Sequence, residues 1–167
     1  IVLEIHRLIV DRIVPADEAG RYRTSEFVTT RNSITGEVTF LPPQPEEVTI
    51  QMESFLEWFK KESQQINSII KAGIIQAELA RIHPFTEGNG RTARAVCTLS
   101  LYLEGYDFKR FFSLDEYYDC DAVGYYAALG TYQNLDDDLT VWLEYFTQGL
   151  AHELLKVKQK ILDLSRD

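Results

Sequence analysis

The chain has 167 residues, of which 45% are hydrophobic, and it carries a formal net charge of −9 with a pI of about 4.8. This size predicts one globular domain over residues 1–167 with a sizeable core. The negative charge argues against binding to nucleic acid or anionic membranes outside local basic patches. No apolar run approaches the roughly 20 residues of a membrane span, and no secretory leader is visible. Because the chain begins at Ile1 without a methionine, we expect it to be excised from a longer protein.

The first part of the chain predicts a helix followed by a β-hairpin. Apolar residues three and four apart indicate a helix over residues 1–14, which Pro15 and Gly20 close. Residues 26–40 then change to β-rich segments around a polar turn at residues 32–36, which predicts a hairpin. A hairpin in a helical chain has a free edge, so it either is decorative or pairs with another chain. The residues alone leave both interpretations open.

Two helices are predicted between the hairpin and residue 83. Pro45 and the acidic residues after it open the first of them. The second has an apolar stripe over residues 66–77. It should end at His83, because Pro84 disfavours α geometry at the residue before it. The imidazole of His83 then lies at a helix end and faces a loop.

The second half of the chain is also predicted to be helical. Residues 95–103 are apolar on nearly every side and indicate a central, buried helix. A capping box at residues 113–116 starts a helix that we expect to continue through Leu129. The last helix, over about residues 140–165, would be on the order of 38 Å long, which is more than one small core needs. We therefore expect a downstream domain, or a second copy of the chain in a homodimer, to pack against it.

The cysteines and the isolated histidines carry no recognisable site. Cys97 and Cys120 form neither a metal nor a disulfide framework, which indicates a reducing compartment such as the cytoplasm, and we expect both to be small core residues. His6 and His152 lie in helical stretches without evident partners, so we predict that they are surface or packing residues. A zinc site is disfavoured, because His83 has no second histidine or cysteine at ligand spacing.

Residues 83–94 combine the groups that are needed to handle a nucleotide phosphate. Residues 88–90 precede an apolar helix, so backbone N–H groups and a positive dipole end lie beneath them and form an anion site. Arg91 and Arg94 are three residues apart and can grip neighbouring phosphate oxygens from one helix face. Glu87 is placed to hold a Mg²⁺ that the phosphates also coordinate. His83 would act as the base.

Each of these features has a simpler explanation when taken alone. A histidine at a helix end commonly bonds to backbone carbonyls, and two glycines commonly form an ordinary turn. The presence of all the features within twelve residues favours the functional interpretation.

This stretch resembles the signature of the Fic family, His-Pro-Phe-x-Asp/Glu-Gly-Asn-Gly-Arg-x-x-Arg, and residues 83–94 match every defined position. Residues 20–23, the hairpin, Pro42 and Pro43, and the surrounding helices also resemble the core of that family. The resemblance implies an all-α fold, a Fic-type helical bundle with one β-hairpin flap beside the active site. It also implies that the flap docks a protein target.

The resemblance implies a protein adenylyltransferase, or AMPylator, that moves AMP from ATP to a Ser, Thr or Tyr hydroxyl of a target protein and releases pyrophosphate. His83 would take the hydroxyl proton, and Glu87 would hold Mg²⁺ on the phosphates. Tyr125 and Tyr126, which would otherwise be read as core or rim residues, would lie near the adenine. The residues that would bind the phosphate groups are Gly88, Asn89, Gly90, Arg91 and Arg94.

Three alternatives remain at this stage. The Fic relative Doc carries a lysine at the position of Gly90 and transfers phosphate, so the glycine here favours nucleotidyl transfer. Some Fic enzymes chiefly remove AMP through an activated water. A non-enzymatic interpretation makes the chain a helical adaptor whose hairpin captures an extended peptide.

Many Fic proteins are inhibited by a glutamate in a Ser/Thr-x-x-x-Glu-Gly/Asn helix that pairs with the second signature arginine. Residues 100–105 match this pattern literally. However, Glu104 lies ten residues beyond Arg94 on one predicted helix, which places them about 15 Å apart along the axis. We therefore predict that any inhibitory helix lies outside this chain.

Overall fold

The computed structural model describes residues 1–25, 30–31, 38–106, 113–134 and 138–165. Within these residues the fold consists of seven α-helices, one 3₁₀ turn at Ser63–Gln65 and two short strands, which agrees with the predicted helical bundle. The strands are β1 (Thr30–Arg31) and β2 (Val38–Phe40). The helices are α1 (Val2–Ile9), α2 (Pro45–Lys61), α3 (Ser68–Ile82), α4 (Asn89–Leu103), α5 (Leu114–Cys120), α6 (Ala122–Asn134) and α7 (Thr140–Leu164).

Local signals explain where several helices begin. Pro45 occupies the first turn of α2, where its missing N–H is not needed, and the Glu47 carboxylate accepts a hydrogen bond from the Gln44 N–H at 3.0 Å. The Asn67 side chain accepts from the Ile69 N–H at the start of α3. Ser113 caps α5 in the same way, by accepting from the Glu116 N–H. The residues at these positions therefore determine where α2, α3 and α5 begin.

Helix α3 lies at the centre of the molecule, between two apolar clusters. One cluster joins it to α2 and α4, and the other joins it to α4 through α7. At the crossing with α7, the Trp142 indole N–H donates to the Gly73 carbonyl at 2.8 Å. A Cβ at Gly73 would lie 2.8 Å from Leu143 Cδ2 and 2.9 Å from Phe146 Cδ1, so a larger residue would require these side chains to shift. Packing on both sides therefore holds the end of α3, where His83 lies, in a fixed position.

Two predicted helices differ from the observed ones. Helix α1 ends at Ile9, and residues 10–14 form turns rather than helix. The helix that was predicted to run from the capping box through Leu129 is broken at Asp121, whose backbone (φ −134°, ψ 56°) is not helical. The Asp121 carboxylate accepts from the Gly124 N–H at 3.1 Å and so starts α6 as a separate helix.

The two cysteines also differ from each other. Cys97 is buried, as predicted, but Cys120 is exposed at the end of α5, so its assignment to the core was wrong. Helix α7 matches the predicted range closely and carries exposed apolar residues, among them Leu155 and Ile161. Among the described residues, no helix has both the length and the apolarity needed to cross a bilayer.

The predicted hairpin at residues 26–40 is described only in part. Strands β1 and β2 pair antiparallel, with Thr30 opposite Phe40 and Arg31 opposite Val38. Residues 26–29 and 32–37 lie outside the described residues. The function of the hairpin as a flap therefore stays a prediction.

Candidate active site

His83 caps the C-terminus of α3 in a left-handed backbone conformation (φ 51°, ψ 57°), which is uncommon for a residue with a side chain. Its ring Nδ1 lies 3.2 Å from the Ala80 carbonyl oxygen. A carbonyl can only accept, so Nδ1 carries the proton and donates it. Nε2 of the neutral ring is then unprotonated and able to take a proton.

The surroundings of His83 favour its neutral form. Burial lowers the pKa of the imidazole, and the positive charge of Arg23 acts in the same direction. The hydrogen bond to the Ala80 carbonyl and the Glu87 carboxylate oppose this shift without reversing it. The ring therefore remains a proton acceptor at neutral pH.

The glycine segment forms the expected cradle at the start of α4. Gly88 is the N-cap residue with φ 78°, and no side chain caps this helix end in the described part of the chain. A Cβ at Gly88 would lie 2.6 Å from Val10 Cγ1, so the position needs glycine for space as well as for its backbone angle. The first N–H groups of α4, beginning at Asn89 and Gly90, are therefore left for an anion.

The Asn89 side chain is buried, with 4% of it exposed, and it shapes the loop. Its Oδ1 accepts from the Phe85 N–H at 2.8 Å, and its Nδ2 donates to the Phe85 carbonyl at 2.7 Å. Both ends of the amide are thus used within the loop. Asn89 can contribute its backbone N–H to the cradle, whereas its side chain holds the loop closed.

Glu87 and Arg91 lie side by side at the mouth of the cradle. Glu87 Oε1 accepts from the Gly88 N–H at 2.9 Å and from Arg91 Nη2 at 3.1 Å. The Glu87 side chain is 57% exposed. Both contacts use Oε1, and no described residue donates to Oε2, which is therefore available to a ligand.

Arg94 is held more firmly than Arg91. Its Nε donates to the Asp115 carboxylate of α5, and the Tyr125 hydroxyl also lies within hydrogen-bonding reach of its guanidinium. Tyr125 is 5% exposed and Tyr126 is 63% exposed. Tyr125 is thus placed to orient Arg94, and only Tyr126 presents an open ring to solvent.

Both signature arginines line a cleft of about 690 Å³ that runs along α4 between α1 and α5. Asp115, which is paired with Arg94, and Asp119 also line this cleft. The cleft therefore brings two arginines together in a molecule with a net charge of −9, beside two carboxylates of opposite charge.

His6 supports the signature loop, contrary to the prediction that it lacks partners. It is 0% exposed, and its ring stacks on Phe85 with centroids 3.7 Å apart. Nδ1 accepts from the Gly20 N–H at 2.9 Å, so Nε2 carries the proton and donates to the Glu87 carbonyl at 3.0 Å. A signal was present in the sequence, because His6 lies on the apolar side of α1, four residues after Val2.

The literal match to an inhibitory motif has another role. Glu104 lies at the C-terminus of α4 and forms an ion pair with Lys71 of α3. The Lys71 side chain is 6% exposed and the Glu104 side chain is 39% exposed. Glu104 therefore neutralises a buried lysine, and Arg94 pairs with Asp115 instead.

The family model described as the Fic/DOC family matches residues 1–101, which include the whole signature. The chain belongs to the Fic/DOC family. Two curated relatives are protein adenylyltransferase fic-1 of Caenorhabditis elegans, 37% identical over 63% of this chain and 19% of that protein, and protein adenylyltransferase Fic of Nematostella vectensis, 34% identical over 71% and 26%. This Fic/DOC chain thus spans about a fifth to a quarter of the length of these relatives.

Solved structures agree with this assignment. The structure of Fic-1 from C. elegans is 28% identical and covers 99% of this chain and 43% of that one, with a TM-score of 0.70. A Fic family protein from Desulfovibrio desulfuricans has a TM-score of 0.80 over 97% of this chain and 46% of that one, at 23% identity, and shares the fold. The Fic-type helical fold that the sequence predicted is therefore confirmed.

Proposed function

We propose that this Fic/DOC domain is a Mg²⁺-dependent protein adenylyltransferase. A Ser, Thr or Tyr hydroxyl of a target protein attacks the α-phosphorus of ATP. The new O–P bond forms as the bond between the α-phosphorus and the bridging oxygen to the β-phosphate breaks, and pyrophosphate leaves. The two curated relatives are named protein adenylyltransferases, which supports this choice of reaction.

The observation that carries the proposal is the contact between His83 Nδ1 and the Ala80 carbonyl oxygen, which implies the tautomer of the ring. Because its Nδ1–H donates to the Ala80 carbonyl, its Nε2 is free to accept the proton of the attacking hydroxyl. This base lies at one end of the signature loop, and the phosphate cradle lies at the other end. The domain thus supplies proton acceptance and phosphate binding from one short segment.

Phosphate binding would use the cradle and the cleft behind it. The N–H groups at the start of α4 would stabilise charge on the phosphate oxygens. Arg91 and Arg94 would bind the outer phosphates from the cleft. Arg94 is already oriented by Asp115 and Tyr125, so little ordering is needed when ATP arrives.

Glu87 would hold the Mg²⁺. Proteins usually bind this ion through one or two carboxylates together with substrate phosphates and water. Glu87 Oε2 is free to act as the single protein ligand. When bound, the ion would neutralise phosphate charge.

The target would dock on the hairpin as an added strand. β1 and β2 form a two-stranded sheet, and the Phe40 ring at the end of β2 lies 6.0 Å from the His83 ring between centroids. A segment that is paired to this sheet would therefore pass near the base. Main-chain pairing would hold targets of different sequence in the same way.

A gel experiment separates this activity from its alternatives. The domain is incubated with candidate targets and ATP labelled on either the α- or the γ-phosphate. AMP transfer labels protein only from the α-label, whereas phosphate transfer labels it only from the γ-label. Removal of label from AMP-modified protein would instead indicate deAMPylation.

The variants His83→Ala and His152→Ala form a matched pair for this experiment. His152 is an exposed histidine on α7, so its loss should leave transfer unchanged. His83→Ala should abolish transfer and keep Mg-ATP binding in calorimetry. Undiminished transfer by His83→Ala, or peptide capture that ignores both ATP and Mg²⁺, would refute the proposed function.

A further inference from the structure

Arg23 is a buried arginine without a counter-ion among the described residues. It lies in the segment after α1 and is 3% exposed. Burial lowers the pKa of its guanidinium. No carboxylate of the described residues forms an ion pair with it. A charge in such a position is unfavourable unless its hydrogen bonds satisfy it well.

Within the described residues, the hydrogen bonds that Arg23 donates all go to backbone carbonyls. Arg23 Nε donates to the His83 carbonyl at 2.7 Å, Nη2 donates to the Pro43 carbonyl at 2.5 Å, and Nη1 donates to the Ser25 carbonyl at 3.4 Å. The backbone N–H of Arg23 also donates to the Pro84 carbonyl at 2.9 Å. One residue thus holds two successive peptide units, the one that joins His83 to Pro84 and the one that joins Pro84 to Phe85.

The His83 backbone needs such support. A left-handed conformation is strained for a residue with a Cβ, and it persists only when the surrounding structure fixes it. This conformation turns the chain out of α3, so it also decides where the imidazole points. The bond from Arg23 Nε fixes the His83 carbonyl directly, and the bond to Pro84 fixes the next one.

The remaining two bonds tie Arg23 to the base of the hairpin. Ser25 is the last described residue before β1, and Pro43 follows β2. The guanidinium therefore joins the two arms of the hairpin where they enter and leave the domain. The planar fork can reach three carbonyls at once, which a lysine ammonium on its flexible stem cannot do with the same geometry.

We infer that Arg23 is a positioning residue that fixes the His83 imidazole relative to the base of the hairpin. A target hydroxyl that is carried by a strand docked on the hairpin then meets Nε2 at a fixed place. This inference rests on the proposed function, because it assumes that His83 is the base and that the hairpin docks the target. It adds a residue outside the signature to the transfer machinery.

The kinetic test uses Arg23→Lys and Arg23→Met, with Arg21→Met as the matched control. Arg21 is an exposed arginine two residues away. Calorimetry with Mg-ATP first gives the fraction of each variant that binds nucleotide, so that kcat refers to folded domain only. We expect kcat for target modification to fall on the order of 10²-fold in both Arg23 variants, since misplacement by about 1 Å has an effect of this size. KM for ATP should change less than about 2-fold, and Arg21→Met should match wild type.

The pH profile distinguishes positioning of His83 from a general loss of structure. The charged groups that act on His83 are Arg23 and Glu87, and its ring also bonds to the Ala80 carbonyl. Arg23→Met removes a positive charge, so the acid limb of kcat/KM should move to higher pH, whereas Arg23→Lys should leave it in place. If both variants lose activity while both keep the acid limb of wild type, the inference is contradicted.

A measurement on the wild-type domain keeps the inference testable if a variant does not fold. Nuclear magnetic resonance can detect scalar coupling across the hydrogen bond between Arg23 Nε and the His83 carbonyl carbon. An observed coupling with slow exchange of the Nε–H supports the contact, and fast exchange without coupling overturns it. The two hypotheses fail in different ways. Wild type without AMP transfer would refute the proposed function, and transfer by wild type with full transfer by Arg23→Met would refute the role of Arg23 alone.

Discussion

The substitution Gly88→Ala should be the most damaging single-methyl change in the signature loop. Gly88 has φ 78°, and a new Cβ would lie 2.6 Å from Val10 Cγ1. The left-handed backbone should cost about 1–2 kcal/mol with a Cβ present. The overlap with the buried Val10 adds an overpacking term of about 1–3 kcal/mol. Together these terms predict a loss of about 2–5 kcal/mol in the free energy of unfolding.

Gly105→Ala is the matched control, because it separates the two terms. Gly105 has φ 91°, yet nothing in the described part of the chain lies within 4 Å of the position that its Cβ would take. It should therefore lose only the backbone term of about 1–2 kcal/mol. In both variants alanine also restricts the unfolded chain, which offsets the loss by about 0.4–1 kcal/mol. The difference between the variants thus measures the contact with Val10.

Urea unfolding followed by circular dichroism gives the free energy of each variant from its midpoint and slope. The double variant Gly88→Ala/Val10→Ala should recover part of the loss, with a coupling energy of about 1–3 kcal/mol. Equal destabilisation by Gly88→Ala and Gly105→Ala, together with additive behaviour of the double variant, would refute the reasoning. In that case Val10, the C-cap residue of α1, would not limit the space at Gly88 as the structure indicates.

Three further predictions concern contacts outside the loop itself. Burial lowers the pKa of His6 from its ordinary value of 6.5. The stability that the neutral His6 ring contributes should therefore be complete above pH 6.5 and decline as the pH falls below it. His6→Gln should lose this pH dependence in urea titrations, and an unchanged dependence would contradict the assigned tautomer. Glu104→Gly should lower the free energy of unfolding by about 1–3 kcal/mol, because it leaves Lys71 buried without its partner. Self-modification by that variant should not rise, and a large rise would revive the inhibitory motif. Proline placed in β2 should reduce target modification while sparing ATP binding; equal modification would argue against docking on the hairpin.

Local rules predicted the helix ends that frame the candidate site. Pro84 ended α3 at Ile82 as expected, and the glycine segment opened α4, because both effects act between neighbours in the chain. The contacts that support the site could not be predicted in this way. His6 bonds to the Glu87 carbonyl across 81 positions, and Arg23 bonds to the His83 carbonyl across 60. Such pairs depend on how helices pack, and a hydrophobic pattern does not specify which polar group meets which carbonyl.

The break at Asp121 shows a different limit. The apolar pattern continues across this residue, so periodicity alone predicts one helix. The Asp121 carboxylate instead bonds to the Gly124 N–H and offers the backbone a competing local partner. Aspartate at a surface position can serve either arrangement, and tertiary packing of α5 and α6 against α7 decides between them.

The two hydrogen bonds between the Asn89 carboxamide and the Phe85 backbone affect the thermodynamics of nucleotide binding. Since the loop is already fastened by two hydrogen bonds to its own backbone, its conformational entropy is lost when the domain folds rather than when the nucleotide arrives. Association is therefore free of a loop-ordering penalty, and a ligand as small as inorganic pyrophosphate should retain measurable affinity for the empty cradle. Amide hydrogen exchange at Phe85 should be slow with or without nucleotide, because the same carboxamide protects it in both states.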